Sequence, residues 1–180
     1  ETTPPGGLSE RCGAWLGGGA SCVARGEMVG VERMELFRIQ DVRFRTEGHS
    51  AVAELVFQTG EKLEIDFAER VRNRPKLKPL LDPEIFAEGR IVDGGIAVEW
   101  PCGIEIDATS LHRTALAMCF RAWRKGHGMS QTMAASALGL TSRTVQNYEA
   151  GEQDIPRTVM LAMRGFDASP DLRNGVAALT

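Results

Sequence analysis

Ser142, Arg143, Thr144, Gln146 and Asn147 fall within six consecutive positions of a 180-residue chain, and none of them is acidic. Placed on a helix, Ser142, Arg143, Gln146 and Asn147 stand at i, i+1, i+4 and i+5 and share one face. Side chains of these types carry the donors and acceptors that read base edges in a major groove. Arg143 suits a bidentate contact to a guanine edge, and Gln146 or Asn147 suits adenine. Val145 and Tyr148 point the other way, as they must if such a helix is to be held from behind.

Other residues offer weaker chemistry. Glu64 with Asp66, and Glu105 with Asp107, are carboxylates two apart; that spacing serves acid–base or metal work, but it also marks the solvated face of a strand. His49, His112 and His127 are scattered and read as solvated or core histidines. Cys102 has no histidine beside it to activate a thiol. Gly94-Gly95 lacks the lysine and helix of a phosphate loop, and a hairpin turn accounts for it. The four cysteines form no CxxC pair and match no zinc module, so reduced thiols in a cytosolic, cytoplasmic protein are expected. These residues predict no enzyme, no metal and no cofactor. The run Arg70, Arg72, Arg74, Lys76, Lys78 reads as a solvated loop, with auxiliary phosphate contact as the alternative.

The elements that position these residues are legible in periodicity. Apolar residues at 43%, charged residues at 25% and aromatics at 6% are the usage of a globular chain, with no apolar run long enough to span a membrane. Formal charge is unevenly placed: −1 over 1–33, −5 over 34–110 and +3 over 111–180, adding to the whole-chain −3. Only the last segment attracts polyanions. Residues 1–33 are glycine-rich and aperiodic, which predicts a disordered leader; Leu8 to Val23 is interrupted by Arg11 and glycines, so no signal peptide is expected. Met28 or Met34, just ahead of periodic sequence, is the expected natural start.

Between 34 and 110 the period is two. Val52 to Phe57, the turn Gln58-Thr59-Gly60 and Leu63 to Phe67 predict a hairpin. Arg90 to Val92, Asp93-Gly94-Gly95 and Ile96 to Trp100 predict another, with a last short strand at Ile104 to Ile106. Pro75, Pro79 and Pro83 break the stretch between, leaving one helical turn at Glu84 to Ala87. Trp100 is expected to pack this sheet. The reading is a small antiparallel-sheet domain.

At Thr109 the period becomes 3.6, as Leu111, Ala115, Cys119 and Trp123 recur every four residues. Four helices follow, at 111–125, 131–138, 142–150 and 156–164. Thr109 and Ser110 are candidate caps of the first; Ser130 and Thr141 precede the second and third, Gly139 and Gly151 end them, and Pro156 opens the fourth. Ala135 is small where two helices must cross, and Gly139 suits a turn needing positive φ. The fold class is α+β: a sheet domain at 34–110, then an all-α domain at 111–180.

Phe120, Trp123-Arg124, Met129-Ser130-Gln131, Ala135, Leu138-Gly139, Val145, Tyr148-Glu149, Gly151 and Pro156 resemble the phage-repressor (Cro/CI, or xenobiotic-response-element) type of helix-turn-helix domain across 115–167. The resemblance implies that Gln131 and Thr141 touch phosphate or neighbouring reading residues, while Ser142, Arg143, Gln146 and Asn147 face bases. The family's fifth helix has no full counterpart in Asp167 to Thr180, where Pro170 and Gly175 fall. Phe57-Gln-Thr-Gly60-Glu61, Asp66-Phe67, Pro79-Leu80-Leu81, Phe86, Val98-Glu-Trp100-Pro101 and Gly103-Ile-Glu-Ile-Asp107 are similar to a small bacterial family catalogued as domain of unknown function twenty-four forty-two. That resemblance implies a fold but no chemistry.

The leading expectation is a bacterial transcriptional regulator that reads the major groove with helix 142–150. Arg124, Arg157 and backbone amides at helix starts set its register on phosphates. Two modules reading half-sites about 34 Å apart predict a homodimer. The alternative is an antitoxin-like interaction protein, whose acidic domain binds a basic partner while the other end autoregulates.

Overall fold

The computed structural model of the chain describes residues 37–47 and 50–171. The leader predicted at 1–33, His49 and the cysteines Cys12 and Cys22 lie outside the described residues. The chain divides into two compact units between Ala115 and Leu116. Among the described residues no helix is long and apolar enough to cross a membrane.

Among the described residues the first unit holds six strands and short helices. β1 (Ile39–Glu47) pairs antiparallel with β2 (Ser50–Phe57), and β2 pairs antiparallel with β3 (Lys62–Asp66). β4 (Arg90–Val92), β5 (Ala97–Trp100) and β6 (Ile104–Asp107) make a second sheet in that order, also antiparallel. The single small sheet expected from periodicity is therefore two sheets of three strands each. β2 and β3 alternate buried and part-exposed residues, which is the period-two signal read from Val52 to Phe67.

Asp66 ends β3 and caps the next helix, α1 (Phe67–Asn73), its side chain accepting a hydrogen bond from the Ala68 amide at 2.8 Å. The proline-rich stretch is a 3-10 helix over Pro75–Leu81 that buries Leu77 and Leu80, three positions apart as its three-residue turn requires. α2 (Pro83–Ala87) is the expected single helical turn, capped by Asp82. Trp100 packs the core as predicted: it is 2% exposed, and its ring centroid lies 5.8 Å from Phe44, 5.7 Å from Phe67 and 6.3 Å from Phe86. Its indole N–H donates to the Phe86 carbonyl at 3.1 Å, so the buried polar atom is satisfied. Only glycine fits at position 89, where a Cβ would fall 2.5 Å from the Phe44 ring and 2.6 Å from the Trp100 nitrogen.

Four longer helices follow: α3 (Ala108–Gly126), α4 (Gln131–Leu138), α5 (Ser142–Ala150) and α6 (Arg157–Ala168). The division between the units falls inside α3. α3 starts three residues earlier than its apolar period suggested, because Asp107 caps it: the carboxylate accepts from the Ser110 amide at 2.8 Å. Thr109 and Ser110, the caps expected, are already helical.

Candidate nucleic-acid interface

The second unit builds its site from local punctuation. The Ser130 hydroxyl accepts from the Met133 amide at 3.1 Å and starts α4. Gly139 ends it at φ 67°, and the Leu140 amide reaches back to the Ala135 carbonyl at 2.8 Å, closing a Schellman turn. Thr141 then caps α5, its Oγ1 accepting from the Thr144 amide at 3.1 Å and lying 2.8 Å from the Thr144 hydroxyl. Gly151 repeats the Gly139 device at φ 69°. Two short helices are thus joined through a tight turn in which each end is hydrogen-bonded.

Apolar packing decides which face of α5 stays outside. Val145 is 0% and Tyr148 3% exposed. Tyr148 meets Phe120 of α3 edge-on at 5.8 Å. Ala134 and Ala135 of α4 are buried, and small residues there let helices approach closely. Met129, Ala134 and Phe166 form a core cluster flanked by Trp123, Met133 and Ala137. Asp167 closes the same end, one carboxylate oxygen lying 2.8 Å from the Trp123 indole nitrogen and 2.7 Å from His127 Nε2.

At the centre lies Glu149, 6% exposed. Arg124 grips its carboxylate with two nitrogens, Nε to Oε1 and Nη2 to Oε2, the second at 3.0 Å. Gln131 Nε2 donates to Oε2 at 2.8 Å, and Arg121 donates to the Glu149 carbonyl at 2.6 Å. Burial alone pushes the Glu149 carboxyl up. The hydrogen bonds from Arg124 and Gln131, with the charges of Arg124 and Arg121, together outweigh it and hold the group below the ordinary glutamate range. Arg124 is raised in turn, chiefly by its hydrogen bond to Glu149.

This cluster corrects one expected contact and narrows another. The third guanidinium nitrogen of Arg124, Nη1, donates to the Met129 carbonyl at 2.7 Å, so the guanidinium faces inward and holds the fold rather than standing free for a phosphate. Gln131 likewise commits its amide donor to Glu149. Glu149 organises these contacts from inside the unit. Its partner is twenty-five positions away in α3, and no local pattern announces that pairing.

Arg143 and Gln146 are exposed on α5, and neither has a hydrogen-bond or ion-pair partner among the described residues. Ser142, Thr144 and Asn147 are half-buried; the Ser142 hydroxyl lies 3.5 Å from that of Thr132. Thr141 is exposed but engaged as the cap. Arg157 is exposed as the first residue of α6, likewise unpaired among the described residues.

The carboxylate pairs of the first unit do other work. Glu64 stands directly opposite Glu54 across the strands, and Arg45 Nη2 bridges the two at 3.1 and 2.6 Å, offsetting the like-charge repulsion. Asp66 and Asp107 are helix caps. Cys102 is exposed in the turn between β5 and β6. Among the described residues no group of three or more metal-ligating side chains comes together. His112 lies 2.9 Å from Glu61 Oε2, with the rings of Phe37 and Phe57 against it.

Residues 115–175 match the family described as helix-turn-helix domain. This segment carries a helix-turn-helix domain. The match takes in α4, α5 and α6 whole, the two capped helices and their glycine turn among them. A crystal structure of a "putative DNA binding protein" from Nitrosomonas europaea aligns at 30% identity over 73% of this chain and 86% of that one, with a TM-score of 0.39. No curated protein matches the chain.

Proposed function

We propose that the chain is a sequence-specific DNA-binding transcriptional regulator of the Cro/CI repressor type, acting in the bacterial cytoplasm. One observation carries the reading. In a helix-turn-helix domain, α5 buries Val145 and Tyr148 and leaves Arg143 and Gln146 exposed and unpaired on its outer side. Such a face has hydrogen-bonding capacity with no internal use, and base edges in a major groove supply the matching groups. Arg143 makes a bidentate contact to guanine, and Gln146 and Asn147 read adjacent base pairs. Thr141, Ser142 and Thr144 line the start of the reading helix, and Arg157 contacts a phosphate from the start of α6. The module works as a homodimer on half-sites about 34 Å apart. Residues 36–112 belong, on this reading, to the domain of unknown function whose motifs they share.

Fluorescence anisotropy on duplex from the gene's own upstream region, against scrambled duplex at two salt concentrations, tests this. Binding to the upstream duplex that survives added salt better than binding to the scrambled one is the expected result. Equal loss for both overturns sequence reading.

A second reading has one observation in its favour, the net −5 of residues 34–110. An acidic surface of that kind suits a basic protein partner, as in an antitoxin that also autoregulates. Co-purification with the product of a neighbouring small, basic reading frame is its test.

A further inference from the structure

The first unit is acidic overall, yet residues 70–81 contain five cations and no acid. The structure presents four of them. Arg72, Arg74, Lys76 and Lys78 are all exposed, and none has a carboxylate within 4 Å among the described residues. Three other arginines of the unit behave differently: Arg43, Arg45 and Arg90 each lie within 3.5 Å of a carboxylate. The 3-10 helix keeps its lysines outward because Leu77 and Leu80 anchor the opposite side at 9% and 0% exposure. A flexible charged loop would not be pinned in this way.

The fifth cation of the run, Arg70, is 6% exposed, with Nε and Nη1 buried and without hydrogen-bond partners. Burial first, then the charge of Arg74, push its pKa down to about 10, and the charge of Asp107 only partly offsets them. A buried cation that an internal carboxylate only partly neutralises is costly, and an external anion relieves that cost. A duplex cannot reach the buried nitrogens of Arg70, but their charge adds to the field of the four side chains above.

We infer that Arg72, Arg74, Lys76 and Lys78 form a phosphate-contacting surface, by which the first unit binds the backbone of the same DNA that α5 reads. This rests on the DNA-binding reading above. DNA is the favoured polyanion because the same chain carries a helix-turn-helix domain, so a second weak contact gains from being tethered to the first. Phosphate contacts of this kind add affinity without sequence preference.

The test uses the full chain with Arg72→Gln, Lys76→Gln and Lys78→Gln combined, and a charge-keeping control, Lys76→Arg with Lys78→Arg. Anisotropy is measured on upstream and scrambled duplexes between 50 and 200 mM salt, after circular dichroism shows both variants folded. Each phosphate contact removed should flatten the log–log salt slope by about 0.9, so the fall in affinity across that salt range shrinks about threefold per contact. The loss should be equal for both duplexes, with base preference intact and the control unchanged. Unaltered slopes in a folded triple variant overturn the proposal while leaving α5 as the reader, and would do so equally if that variant instead lost a co-purifying acidic protein. A wild-type chain that binds neither duplex overturns both readings at once.

Discussion

Arg124 and Glu149 lie on different helices, α3 and α5, and meet in a double hydrogen bond with the carboxylate only 6% exposed. The pair fastens α5 to the helix behind it, and Gln131 of α4 joins through one of the same carboxylate oxygens. Breaking one side strands a buried charge. Glu149→Ala should therefore destabilise the second unit by about 3–5 kcal/mol, seen as a lower urea midpoint with little change in slope.

The same pair gives a pH dependence. The Glu149 carboxyl titrates below its ordinary value of 4.5 in the folded chain, so the stability it contributes is present above that value. It is lost as the pH falls through the lower folded value. Unfolding free energies between pH 7 and pH 3 should decline in the wild type, and Glu149→Gln should flatten part of that decline.

Arg143 and Gln146 are exposed and unpaired, so shortening them leaves folding untouched and reports on the ligand. Arg143→Ala should cost about 1–3 kcal/mol of operator binding and relax preference at one base pair. Arg157→Ala should weaken all duplexes alike. If Arg143→Ala also weakens every sequence equally, Arg143 contacts a phosphate.

Gly139 holds φ 67° at the turn, and a Cβ built there meets nothing within 4 Å. The penalty for a side chain is then purely conformational. Gly139→Ala should cost about 1–2 kcal/mol by thermal unfolding, and Gly139→Asn less, since asparagine tolerates this region better.

Trp100 is tied to the Phe86 carbonyl and surrounded by three phenylalanine rings. Trp100→Phe removes the shorter of two hydrogen bonds to that carbonyl, leaving it the Gly89 amide at 3.4 Å, and should cost about 1–3 kcal/mol. Gly89→Ala, which drives a methyl into the Phe44 ring, should cost a similar amount through overpacking. Paired with Trp100→Phe it should cost less than the sum, because the two changes share one space. A double-mutant cycle in urea checks this.

The second unit was legible almost residue by residue. Ser130, Gly139, Thr141 and Gly151 act within one turn of themselves, so their effect on α4 and α5 is readable from neighbours alone. The first unit was less so. β1 alternates charged Asp41, Arg43 and Arg45 with Val42 and Phe44, a period-two signal that its charge obscured as a strand. α1 was missed because Arg70 and Arg72 read as part of a charged loop, whereas Asp66 caps a helix there.

What the sequence determined by itself was therefore short-range: the limits of α4 and α5, the turn glycine, the outward polar face of α5 and the inward place of Trp100. These follow from propensity, capping and periodicity, which act over a few residues. Tertiary structure alone decided the partners. It sent Arg124 to Glu149 rather than to a phosphate, put Arg45 between Glu54 and Glu64, and divided the strands into two sheets. Such pairings depend on which distant surfaces exclude water together, and in a buried setting a charge takes whichever opposite charge the packing brings to it.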